Sequence, residues 1–116
     1  MTPFSSSQRY FLYRAPADMR KGFDGLCGLV RQGMGRDPLS GDVFVFVNRR
    51  RTHVKLLVWD RSGLVLFYKR LEEGTFELPK EGEALAWRDL MLMMEGVSLA
   101  RRRTRKRYRL PETDAG

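Results

Sequence analysis

Three consecutive arginines, Arg49, Arg50 and Arg51, stand between two strongly β-forming apolar stretches, Val43 to Val47 and Val54 to Trp59. That spacing predicts a hairpin with the arginines at its tip. Guanidinium groups displayed there can contact phosphates or enter a nucleic-acid groove. A solvated loop that blunts aggregation is the competing reading. A second basic run comprises Arg101, Arg102, Arg103, Arg105, Lys106, Arg107 and Arg109, seven cations within nine residues. It fits sequence-independent contact with a phosphate backbone, with a solubilising tail as the alternative.

Other candidates carry less chemistry. Lys55, Trp59, Tyr68 and Arg70 fall on one strand face, where aromatics between cations suit stacking on bases. The neighbouring Leu57, Leu64 and Leu66 read instead as a core or dimer face with cationic stems at its edge. Lys55 is nonetheless kept among the candidate nucleic-acid contacts. Asp60 ends a hydrophobic strand as a metal-binding carboxylate can, but two-metal chemistry needs several carboxylates converging. Asp60 opens an Asp-Arg-Ser-Gly turn, where Asp is favoured for local hydrogen bonding. Cys27 reads as a small buried apolar residue and His53 as a loop residue. No Gly-rich phosphate loop, zinc spacing or nucleophile elbow is present, so no catalytic residue, metal or cofactor is expected.

The whole chain frames these sites. Its 116 residues make one ordinary domain. With one cysteine and one histidine, neither an internal disulfide nor a zinc site can form. The N-terminus is polar, unlike a signal peptide, and no apolar run approaches a membrane span. The expected compartment is the cytosol. Net charge is +8. Residues 101–116 hold seven basic and two acidic residues, a net +5, against +3 for residues 1–100. Charge clustered in this way attracts polyanions.

The elements that must position the sites follow from periodicity. Arg9 to Arg14 reads as a short edge strand. Asp18 is placed to cap a helix from about Met19 to Met34, whose apolar stripe is Met19, Phe23, Leu26, Val30 and Met34. Gly22, Gly25 and Gly28 inside it imply close approach of another backbone, and Gly35 ends it. Strands Val43–Val47, Val54–Trp59 and Leu64–Leu71 form an antiparallel meander. Pairing Val47 with Val54 and Trp59 with Leu64 makes both faces apolar, so each needs a cover. Thr75 to Leu78 is expected as a last short strand. A second helix is expected from Glu83 to Glu95, stopped by Gly96. Its wide apolar arc makes Trp87, Met91 and Met94 either core or a docking face for a partner. The predicted fold is α+β, in the order β-α-β-β-β-α with about four antiparallel strands. It comprises a flexible 1–8, a domain over 9–96 and a disordered basic tail over 97–116.

Several ordered stretches also resemble a known family. Asp18-Met-Arg-Lys-Gly-Phe-Asp-Gly-Leu26 is similar to a "DMRKGxDGL" signature, and Asp37 to Gly41 to "DPxSG". Val43 to Arg51 resembles "FVFxNRRR", Lys55 to Asp60 "KxLxWD", and Phe76 to Pro79 "FxxP". Gly63 and Tyr68-Lys-Arg-Leu71 fall in the matching order. These belong to the accessory protein, TnpB type, encoded by the second open reading frame of bacterial insertion sequences of the sixty-six type. The likeness spans roughly residues 10 to 96. It implies a non-catalytic role in transposition beside a separate transposase, and it brings no functional residue with it. The expected partners are DNA, at element ends or non-specifically, the transposase, and a second copy of the chain. A protein adaptor without DNA contact and a small RNA-binding regulator are the alternatives.

Overall fold

The computed structural model describes residues 4–96. The expected basic tail, including all seven of its cations, lies outside the described residues. The elements run β1 (Tyr10–Leu12), α1 (Phe23–Gly28), β2 (Val43–Val47), β3 (His53–Asp60), β4 (Gly63–Arg70), β5 (Ala84–Leu85) and α2 (Trp87–Met94). α1 continues into a wider π-helical turn over Leu29–Gly33. The strands form one sheet in the order β4-β3-β2-β1-β5. The fold is α+β, as the sequence predicts, with five strands rather than four.

The meander has the register that alternation and short turns dictate. Val47 faces Val54 and Val45 faces Leu56. Trp59 faces Leu64, Leu57 faces Leu66 and Lys55 faces Tyr68. Arg61 takes φ 60° in the two-residue β3–β4 turn, the left-handed geometry that matches strand twist.

Each face has its own cover. On one side Val43, Val45, Leu56 and Val58 pack with Tyr10, Leu12, Phe76, Leu90 and Met93, so α2 closes that face. On the other, Phe44, Phe46 and Leu57 pack with Phe11, Leu26, Cys27 and Val30, beneath α1. Each fully buried side chain of this size contributes about 1.5–3 kcal/mol. Both apolar faces are therefore covered from within the chain.

The sheet departs from expectation at β1. It is an interior strand, parallel to β2 (Tyr10 opposite Val43, Leu12 opposite Val45) and antiparallel to β5 (Tyr10 opposite Leu85). The reason is the α1 connection, which crosses the Phe44 face and returns the chain in the same direction, as a parallel pair requires. Thr75 to Leu78 is not a strand. Phe76 is buried there as coil, and its N–H donates to the Arg51 carbonyl at 2.7 Å. Ala84–Leu85 pairs with β1 instead.

Both helices are shorter than their patterns. Asp18 does not cap α1. Its carboxylate accepts the Arg20 N–H at 2.9 Å and its carbonyl the Lys21 N–H at 3.1 Å, closing a separate turn. Such local bonding competes with helix, and α1 begins only at Phe23. Nothing lies within 4 Å of a Cβ built on Gly22 or Gly28, and on Gly25 it meets only the Lys21 side chain. The close approach is at Gly33, where a Cβ would stand 2.8 Å from the Tyr13 ring. α2 starts at Trp87 because Ala84 and Leu85 are engaged in the sheet. Gly96, at φ 79°, ends it as predicted.

Candidate nucleic-acid interface

The β2–β3 connection, residues 48–52, is organised by one side chain. Asn48 Oδ1 accepts the backbone N–H groups of Thr52 at 2.9 Å and His53 at 3.0 Å. Asn48 Nδ2 donates to Thr52 Oγ1 at 3.1 Å and lies 3.3 Å from His53 Nδ1. The Asn48 carbonyl accepts the Arg51 N–H at 3.0 Å. Arg51 takes φ 62°, a left-handed conformation that a non-glycine residue holds only when its surroundings fix it.

The loop is also anchored from outside. The Arg51 carbonyl accepts the N–H of buried Phe76, and the Thr52 carbonyl that of Leu71 at 2.9 Å. The main chain is thus held on both flanks while the side chains of Arg49, Arg50 and Arg51 are exposed. Among the described residues, none of these three guanidinium groups enters an ion pair. Several other arginines are engaged. Arg9 pairs with Asp42 at 2.8 Å, Arg36 with Glu83 at 3.5 Å and Arg70 with Glu72 at 3.0 Å. Arg14 donates to the carbonyls of Pro79 and Lys80. A groove of about 250 Å³ runs beside the loop, between Arg49, Arg51, Tyr13, Pro16 and Leu78. Three adjacent unpaired cations on a fixed loop present positive charge with little main-chain order left to gain on contact.

Lys55 is a correction. It is only 6% exposed, and its ammonium donates to the carbonyls of Met19 at 2.7 Å and Lys21 at 2.8 Å. It also lies 4.7 Å from the Tyr68 ring centre. A phosphate cannot reach it. Its role is to tie the Asp18–Lys21 turn to β3, because a buried cation must be fully hydrogen-bonded. The same turn holds the Asp18 carboxyl down at about 2, chiefly through the side-chain hydrogen bond from Arg20 and then through the Arg20 backbone N–H.

The other residues of the Lys55 strand face divide. Tyr68 is 53% exposed and stands 5.9 Å from the His53 ring, over a shallow hollow of about 360 Å³ shared with Arg70 and Glu72. Trp59 is half-buried near the far end of the strand. Asp60 pairs with Gly63 to close the β3–β4 turn. Trp87, Met91 and Met94 pack against the α2-side core, with the Trp87 ring 5.5 Å from Tyr10. They form the partly buried margin of that core. Sequence reasoning did not single out Asn48. The available signal was an asparagine directly before the arginines with a threonine directly after, both residues that bond their own backbone.

The sequence places this chain in a family of proteins encoded by insertion sequences. Residues 8–104 match the family described as IS66 Orf2 like protein, and the chain belongs to that family. It is 34% identical over 100 residues to "Uncharacterized protein y4jC" of Sinorhizobium fredii (strain NBRC 101917 / NGR234), covering 84% of this chain and 86% of that one. It is 37% identical over 87 residues to "Uncharacterized protein y4hO" of the same strain, covering 74% and 76%. No solved structure matches the chain. Membership supports an accessory role in transposition. No helix among the described residues is long and apolar enough to cross a membrane.

Proposed function

We propose that this protein is a non-catalytic accessory to transposition that grips DNA of its element through the loop Arg49–Arg51 and assists the transposase there. The observation that carries the reading is the loop itself: three adjacent, exposed, unpaired arginines on a main chain fixed by Asn48, Phe76 and Leu71. Phosphate contacts from such a loop position a protein on a duplex without reading its sequence. The second basic run, Arg101, Arg102, Arg103, Arg105, Lys106, Arg107 and Arg109, supplies further phosphate contacts by its charge alone. The site of action is the bacterial cytoplasm, at the nucleoid.

The test is duplex binding by the full chain and by a variant carrying Arg49→Ala, Arg50→Ala and Arg51→Ala together. At low salt the triple variant is expected to bind roughly ten- to a hundredfold more weakly. Equal binding would remove the loop from the interface. If the unaltered chain binds no duplex at all, the reading becomes a protein adaptor.

A further inference from the structure

The two edges of the sheet are managed very differently. β5 is two residues long and leads directly into α2. β4 is eight residues long and pairs with β3 without interruption from Gly63 to Arg70. It has no proline, no bulge and no charge before Lys69, the usual protections of an open edge. Two of the four large exposed apolar side chains among the described residues, Phe67 at 41% and Tyr68 at 53%, lie on it.

Hydrogen-bond phase shows what this edge offers. The Leu71 N–H donates to Thr52, and bonded pairs alternate along an antiparallel ladder. Gly63, Val65, Phe67 and Lys69 therefore bond inward to β3. Leu64, Leu66, Tyr68 and Arg70 point their N–H and C=O groups outward, and no backbone group among the described residues meets them.

We infer that the β4 edge pairs antiparallel with β4 of a second copy of this chain, joining two sheets into one. One register uses all four outward residues. Leu64 lies opposite the partner's Arg70, Leu66 opposite its Tyr68, and the reciprocal pairs repeat about a two-fold axis at Phe67. This makes about eight backbone hydrogen bonds. A shift of two residues in either direction loses a pair. The two exposed Phe67 rings then meet at the axis on one face. Self-complementary bonding and apolar exposure both select a second copy as the occupant.

The test begins with the mass of the full chain in solution, where twice 13.5 kDa is expected. At the axis the two Phe67 residues form a non-hydrogen-bonded pair with Cα atoms about 4.5 Å apart, within disulfide reach. In a Cys27→Ser background, Phe67→Cys should cross-link two chains under mild oxidation, while Leu39→Cys, as exposed but outside β4, should not. Tyr68→Pro removes an outward N–H and spares the β3 ladder. It should give a folded monomer by circular dichroism. Should that variant unfold, the cross-link in the folded Phe67→Cys protein decides. A monomer at all concentrations up to several hundred micromolar overturns the proposal. So does a dimer that fails to cross-link through position 67.

Discussion

Asn48 and His53 grip each other at three points across the base of the arginine loop. The His53 N–H donates to Asn48 Oδ1 at 3.0 Å, the Asn48 N–H donates to the His53 carbonyl at 3.2 Å, and the two side chains meet at 3.3 Å. The amide side chain does inside the loop what a ladder bond does inside a sheet. It frees the side chains of Arg49, Arg50 and Arg51 from any part in holding the turn.

Asn48→Ala should therefore act on stability and on the loop together. It removes two side-chain bonds to backbone N–H groups and leaves those donors without their acceptor. The expected loss is about 2 kcal/mol, or a melting temperature lower by roughly 10 °C. Thermal denaturation measures it, and an unchanged melting temperature would show that the loop holds itself.

Lys55→Met tests the buried ammonium. A methionine fills the space but abandons the carbonyls of Met19 and Lys21. Stability should fall by roughly 2–3 kcal/mol in chemical denaturation. DNA affinity of the folded protein should be unchanged, since this cation does not face solvent.

Gly28 and Gly33 should respond to alanine with opposite signs. Gly28 is helical, at φ −61°, with open space where a Cβ would go. Gly28→Ala should stabilise by about 1 kcal/mol. At Gly33 the Cβ would meet the Tyr13 ring, which packs 5.7 Å from Phe46. Gly33→Ala should destabilise by about 1–3 kcal/mol. Denaturation midpoints of the two variants make the comparison.

Acid should release the Asp18–Lys21 turn. The Asp18 carboxyl sits at about 2, below the ordinary carboxylate value near 4. A folded-state value below the unfolded one favours the folded state above pH 4, and that contribution is lost as pH falls through 2. Carboxyl carbon shifts followed by NMR should show the low midpoint. The midpoint should rise in strong salt, because the Arg20 partner is exposed.

The legible parts of this fold were the local ones. Strand alternation and short turns were enough to place Lys55 opposite Tyr68 and Val45 opposite Leu56. The position of β1 was not legible, because pairing Tyr10 with Val43 depends on how a 30-residue crossover closes. Lys55 was misplaced for a related reason. A lysine on a strand reads as surface charge unless the turn that supplies its carbonyls, 34 to 36 residues earlier, is known to lie above it. The site was half legible. Three arginines between two strands announce a charged tip, but only the folded chain shows Phe76 and Leu71 bracing it. Trp87, Met91 and Met94 read equally as core or as a docking face, because the pairing of β5 that aligns α2 over the Tyr10 side depends on contacts remote in sequence.

The most direct test of the central claim is the salt dependence of duplex binding, compared between the full chain and the Arg49→Ala, Arg50→Ala, Arg51→Ala variant. Log affinity should fall with log salt by about 0.9 for each phosphate neutralised. The variant's slope should be shallower by roughly two to three units, the share of three arginines on phosphates. Identical slopes for the two proteins would contradict it.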